Sequence, residues 1–431
     1  MHSKQHKGQQ LMKNILLVVG VGIGLFILMA EAKAQNAKAF IYGEVETVGG
    51  DVYKGPIRWG TDEVYWVELF NASKSSNDFL KYLSKRQIEE LNRQQGEGSS
   101  WLGLDLGVLS IWEDKYSRTE HQFDIQFGDI KSIEPIGRSK AKVQLKNGVV
   151  FEASGNSGYY TDIGGSVVVF DFELGEFAIR WDRIKQVRFS EAPASTKPGF
   201  GEPIYGKVNA GRKGEFQGLI QWDTDERFLD EILNGEDRDG KKDIPFRSIK
   251  RIKRRGSGVE VLLHSGRNFY LTGSNDVNPE NRGVVVFDPE MGRILIPWRD
   301  FYELEIIEPQ TDWKLGYSDF PNPRGLSGTV VTIEGDEHKG LLAYDLDEAW
   351  EFEILDGNDD DVSYQIPFRH IKSIIPKNYN YSSVILKNGK TLLLGGGRDV
   401  SRENDGILVF PSRNAQPIYI RWSKIDQVIF D

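Results

Sequence analysis

Cysteine is absent from the chain, so no disulfide and no thiolate metal site is available to it. Histidine is scarce, with six residues. His121, His264, His338 and His370 fall at unrelated positions, and no zinc-helix motif, phosphate-cradling loop or nucleophile constellation is present. After the first thirty residues no apolar run approaches the roughly 20 residues of a membrane helix. Positive charge is in deficit, with a net charge of −10. An acidic chain repels phosphate backbones, which argues against a nucleic-acid partner.

The N-terminus carries the longest apolar run. Lys13 precedes a stretch from Ile15 to Ala30, and Ala32-Lys33-Ala34 supplies small residues at cleavage spacing before Gln35. This is the layout of a secretory signal peptide over residues 1–34. An uncleaved anchor helix is the alternative, although the run is short and glycine-rich for a span. Those 34 residues hold four lysines and one glutamate, so their removal takes the net charge from −10 to −13. The expected location is outside the cytoplasm, in the periplasm or at the cell surface of a bacterium, with no membrane span after cleavage.

What the chain does contain is a 21-residue stretch present three times. The copies are GEVETVGGDVYKGPIRWGTDE (43–63), GKVNAGRKGEFQGLIQWDTDE (206–226) and GTVVTIEGDEHKGLLAYDLDE (328–348). A glycine recurs twelve residues in (Gly55, Gly218, Gly340), then an aromatic (Trp59, Trp222, Tyr344), then an Asp-Glu pair. Apolar alternation on both sides of a glycine-bearing turn predicts a β-hairpin. The glycine inside the second strand predicts a bend or a close backbone approach.

A second signature, Phe-x-x-Ile-Lys-x-Ile, starts at Phe127, Phe246 and Phe368. Each is followed by two alternating runs around Asn147-Gly148, Ser265-Gly266 or Asn388-Gly389, a further hairpin signal. Each copy then closes on Trp181, Trp298 or Trp422, again with an apolar residue three positions later. These spacings predict a mainly β chain of three tandem repeats, each a pair of small modules. The repeats span 35–190, 204–307 and 326–431. Proline-bearing linkers at 191–203 and 308–325 separate them, with Trp313, Tyr317 and Phe320 placed to pin the second. The first repeat alone carries an insertion of about 72–122. Its start is helical in spacing, with Ser76 or Asn77 as cap, and its 101–112 stretch is apolar. The pattern of hairpin, short strands and closing aromatic element resembles tandem SH3-like or Sm-like small barrels. The Sm-like resemblance would imply RNA binding, which the acidity and the export signal oppose; fold alone does not settle function.

Candidate sites follow from the repeats. The pairs Asp62-Glu63, Asp225-Glu226 and Asp347-Glu348 form a recurring carboxylate edge. Paired carboxylates serve glycoside hydrolysis only when they flank one bond, and neighbours on an extended strand face opposite ways. In a turn that objection weakens. The edge therefore reads as a ligand contact or as turn structure, and not as a catalytic pair. Trp181, Trp298 and Trp422 keep register with apolar partners and read as core. Trp66, Trp101, Trp112 and Trp350 stand outside that register and are candidates for a ligand-binding surface. Two acidic loops are oxygen-rich: Asn234, Glu236, Asp237, Asp239 and Asp243, then Asp356, Asn358, Asp359, Asp360 and Asp361. They suit calcium by chemistry but lack EF-hand spacing, so solvated loop charge is the plainer reading and no resident cofactor is expected. The function expected from all this is a non-enzymatic binding or scaffold module of the cell envelope, with a protein or glycan partner. A carbohydrate-binding protein and an envelope hydrolase are the alternatives.

Overall fold

The computed structural model describes residues 38–74, 77–96, 122–155, 161–194, 196, 199–309, 316–412 and 415–431. The proposed signal segment, Trp101, Trp112, Trp313 and the apolar 101–112 stretch lie outside these. Strands make up 52% of the structure and helical turns 10%, which fixes the class as mainly β.

All three motif copies begin with the expected hairpin. Gly43 pairs with Gly55, Gly206 with Gly218, and Gly328 with Gly340. The central glycine has a packing reason. A Cβ on Gly55, Gly218 or Gly340 would overlap the carbonyl oxygen of Phe170, Phe287 or Phe410 on the neighbouring strand. The closing aromatics enter short 3₁₀ turns, Phe127–Asp129, Phe246–Ser248, Phe368–His370, Trp181–Arg183 and Trp422–Lys424, each leading into a strand.

Strand pairing in the first copy runs antiparallel throughout. The order is Gly175–Ile179, Val167–Asp171, Val52–Trp59, Tyr42–Thr47, Ile184–Phe189, Ile130–Ile136, Lys140–Leu145, Val150–Ser154, Leu69–Lys74, Gln122–Gln126. The third copy follows the same order from Ile418–Ile420 to Val362–Pro367. Closed barrels, expected from the sequence, are not formed among the described residues. The edge strands find other partners instead. Gly292–Ile296 of the second copy pairs with Val362–Pro367 of the third, which buries both edges across a copy boundary.

The insertion is shorter than expected. Leu69–Lys74 and Gln122–Gln126 pair as a hairpin, like Ile232–Asp237 with Gly240–Pro245. The added chain is therefore 75–121, set at a hairpin tip. Its helix, Lys85–Gly96, starts later than the spacing predicted. Ser84 Oγ accepts the Gln87 N–H and Gln87 Oε1 accepts the Ser84 N–H, a reciprocal cap. Asn77 instead accepts the Phe79 N–H in a local turn. Leu83 and Leu91 pack on Ala343, Leu346 and Leu408, so the insertion covers the third copy and not its own.

The second and third copies share one apolar core. The first has its own, which admits Phe352 of the third. A smaller cluster joins the first and second copies through Tyr65, Phe228 and Phe287. Tyr317 and Phe320 do pin the second linker: the Tyr317 hydroxyl donates to the Ile130 carbonyl at 2.9 Å, and Lys146 Nζ sits 3.7 Å over its ring.

Candidate functional site

The Asp-Glu pairs lie in turns. In each copy the backbone doubles back so that the aromatic N–H meets the glutamate carbonyl: Trp59 to Glu63, Trp222 to Glu226, and Tyr344 to Glu348, all at 2.7 Å. Two consecutive left-handed residues make this turn in the later copies, Asp223 and Thr224, then Asp345 and Leu346. Asp62 and Asp225 point to solvent, whereas Asp347 is buried.

The glutamates turn inward. Glu63, Glu226 and Glu348 each keep a buried Oε2 that no donor reaches. Burial, then the negative charge of Asp162, pushes Glu63 up to about 9. Burial and then Asp276 push Glu226 up to about 8. Burial and then Asp399 hold Glu348 well above the usual carboxylate range.

Those partner aspartates are a second recurring set. Asp162, Asp276 and Asp399 use Oδ2 to accept the backbone N–H of Asn71, Asn234 and Asp356 at 2.5, 2.7 and 2.7 Å. Their backbone carbonyls accept from the motif aromatics Trp59, Trp222 and Tyr344 at 2.8, 3.0 and 2.6 Å. A third set, Glu68, Glu231 and Glu353, lies five residues beyond each motif glutamate. Each caps two backbone N–H groups of its turn.

One copy opens into a cavity. It measures about 300 Å³ and is lined by Asp345, Asp347, Glu348, Glu353, Ile354, Asp356, Gly397, Arg398 and Asp399 of the third copy and Asp124 of the first. Seven carboxyl groups face it. Among the described residues two cations form ion pairs with them, and Arg293 also draws on Asp124 and Asp356. Lys74 Nζ, from the first copy, lies 2.8 Å from Asp347 Oδ1 and 2.6 Å from Glu353 Oε1. Arg398 Nε lies 2.7 Å from Asp345 Oδ2, and its NH2 pairs with Asp405. Burial pulls Lys74 down, but Asp347, Glu353 and Glu348 together outweigh it and hold the ammonium charged. Burial and the Asp356 charge push Asp124 up to about 8 and Asp399 to about 7. Burial alone takes Asp356 up to about 6, against the pull of Gln365 and Arg293. Like charges gathered in a low-dielectric pocket favour the approach of positive charge.

The remaining candidates take other places. Trp66, expected at the surface, is fully buried: its ring centroid is 4.7 Å from Tyr317 and 5.9 Å from Phe189, so the first core claims it. Trp350 is half-buried, stacked at 6.0 Å on Phe352. Trp181, Trp298 and Trp422 are core residues, as their spacing required. The acidic loops are engaged in ion pairs: Asp237 with Lys242 at 2.8 Å, and Asp359 and Asp360 with Lys213 at 2.6 Å each.

Sequence reasoning reached Asp347 and Glu348 but missed Asp399, Glu353, Lys74 and Asp124 as their companions. A signal for two of these existed. An Asp followed by Ile or Val recurs at Asp162, Asp276 and Asp399, and a glutamate recurs five residues after each pair. Lys74 and Asp124 have no such signature, because they arrive from another copy.

Searches of protein-family models, curated proteins and solved structures return no match to the chain. No helix among the described residues is long and apolar enough to cross a membrane.

Proposed function

We propose that the chain is an exported, non-enzymatic binding or scaffold module of the bacterial cell envelope, built from SH3-like strand modules in three repeats. Its ligand inserts a positively charged group into the cavity between the first and third copies. The observation that carries this reading is the seven carboxyl groups around one cavity of about 300 Å³. Burial keeps several of these carboxyls protonated, an entering cation favours their ionised form, and a cavity of this size admits a lysine or arginine side chain or an amino-bearing glycan unit. The apolar run ending in Ala32-Lys33-Ala34 supports export. Among the described residues the tryptophans do not form an exposed array, which favours a protein partner over a neutral glycan.

The test is a titration of the chain from Gln35 onward with oligolysine and with oligoglutamate at low salt. Oligolysine binds, binding weakens as salt rises, and Asp124→Asn with Asp356→Asn weakens it further. Equal indifference to both polymers would sink the reading. Cell fractionation tests the location.

A second reading, an envelope hydrolase, draws on Asp356 and Asp399, whose carboxyls at about 6 and about 7 lie in a general acid's range at neutral pH. Turnover of an envelope glycan or peptide, lost in Asp399→Asn, would favour it over the binding module.

A further inference from the structure

We propose that molecules of this chain join edge to edge: the first copy's strand Gly175–Ile179 in one molecule pairs with the second copy's strand Gly240–Pro245 in the next. The contact repeats between molecules what the second and third copies do within one. It makes no use of the acidic cavity.

The internal contact supplies the pattern. Gly292–Ile296 of the second copy lies antiparallel to Val362–Pro367 of the third, with Arg293 opposite Gln365 and Leu295 opposite Ser363. The turn before it seats Met291 against the third copy, 3% exposed, with Lys390 Nζ 3.6 Å from its sulfur. A Cβ on Gly292 would overlap the Gln365 carbonyl oxygen.

Each side of that contact has a counterpart elsewhere in the chain. VVVFDPEMGRILI (284–296) returns as VVVFDFELGEFAI (167–179), and ILDGNDDDVSYQIPFR (354–369) as ILNGEDRDGKKDIPFR (232–247). Both counterparts fold as antiparallel hairpins like the originals. Among the described residues, however, neither Gly175–Ile179 nor Gly240–Pro245 has a strand on its outer side. Leu174, in the place of Met291, is 68% exposed, and Phe172 is 55% exposed. Nothing lies within 4 Å of a Cβ on Gly175. An open strand edge beside exposed apolar residues is a template for strand addition.

Charge matches the two open edges to each other. In the internal contact the second copy's side is basic and the third copy's side acidic. Lys213 meets Asp359 and Asp360 at 2.6 Å each, and Arg299 pairs with Asp361. In the counterparts both signs reverse. Glu176 and Asp182 replace Arg293 and Arg299, while Arg238 and Lys241 replace Asp360 and Ser363. In the internal register Glu176 faces Asp243. Lys241 Nζ lies 3.3 Å from Asp243 and stands one diagonal step from Glu176, so it serves both carboxylates. Glu176 pairs with Arg58 in its own copy and still stays exposed. Lysines on an edge strand ordinarily guard it against pairing; an acidic edge turns that guard into an attraction. The two faces differ, so each contact leaves one of either kind unfilled at the ends. Association therefore continues past the dimer unless a ring closes.

The experiment is sedimentation velocity of the chain from Gln35 onward over a range of concentrations, at low and at high salt. The sedimentation coefficient rises with concentration, and salt weakens the rise. Leu174→Lys weakens association about tenfold or more, because the burial of a leucine is lost. Glu176→Lys and Lys241→Glu each weaken it by setting like charges at the contact. Mixed in equal amounts, these two variants associate again, since each supplies the edge that the other has lost.

That recovery is a readout that misfolding cannot imitate. The three substituted residues are exposed, so the dilute variants keep the parent's melting temperature. A parent that stays monomeric at every concentration overturns the proposal. So does association that survives Leu174→Lys, or a mixture that fails to recover. Oligolysine reads the cavity and sedimentation reads the edges, so either reading can fail without the other.

Discussion

Lys74 Nζ lies 2.6 Å from Glu353 Oε1. The two residues belong to different motif copies, and Glu353 also uses its other oxygen to cap Ala349 and Trp350 in the third copy's turn. One lysine thereby ties the tip of the first copy's hairpin to the carboxylate that holds the third copy's acidic loop. Arg227 and Glu68, 2.9 Å apart and buried, do the same between the second and first copies.

Removing one partner of such a pair strands a buried charge. Lys74→Met should therefore cost about 3–5 kcal/mol, read as a fall in the urea midpoint with the slope unchanged. The double variant with Glu353→Gln should recover part of that loss, since the stranded charge is gone. A loss below about 1 kcal/mol would mean that the pair is solvated.

Stability should fall as pH rises. Glu63 and Glu226 are raised from 4.5 to about 9 and about 8 by burial and by Asp162 or Asp276. The folded protein keeps protons that the unfolded chain releases above about 4.5, so the folded state binds more protons across this window. Stability from these groups is complete below the unfolded value and drains away as pH climbs toward 8–9. The melting temperature should decline from about pH 5 to pH 9, and Glu63→Gln with Glu226→Gln should flatten the decline. An unchanged slope in the double variant would show that other groups carry it.

Gly218→Ala should destabilise, because its Cβ overlaps the Phe287 carbonyl and the Leu219–Phe287 strand pairing resists movement. Overpacking of this kind costs about 1–3 kcal/mol. Gly165→Ala is the control: nothing lies within 4 Å of its added carbon and the residue is exposed, so its effect should stay within about 0.5 kcal/mol. Similar midpoints for the two in chemical denaturation would remove the packing account of the motif glycine.

Replacing residues 75–121 with the three-residue segment Arg238-Asp239-Gly240 should keep the strand content seen by circular dichroism. The flanking strands Leu69–Lys74 and Gln122–Gln126 already pair without the insert. The trimmed protein should expose Leu346 and Leu408, bind a hydrophobic dye more strongly and melt lower, since the helix at Lys85–Gly96 no longer covers them. Loss of the strand signal would show that the insertion is needed for the sheet itself.

The β class and the hairpin of each 21-residue motif were legible in the sequence. Alternation, the Asn-Gly turns and the glycine at Gly55, Gly218 and Gly340 are local signals, and a strand writes its pairing partner into its own pattern when that partner is near in sequence. The burial of Trp181, Trp298 and Trp422 followed from the same register. Trp66 did not, because its cover, Tyr317, comes from a linker some 250 residues away and no periodicity announces it. The open sheets were decided in the same way: whether Gly292–Ile296 closes on its own copy or pairs with Val362–Pro367 depends on which edge lies nearer once the copies pack. The acidic cavity belongs to this second class. Asp347 and Glu348 stood in the repeat, but Lys74 and Asp124 reach them from another copy, and charge gathered across such a distance in sequence exists only in the folded chain.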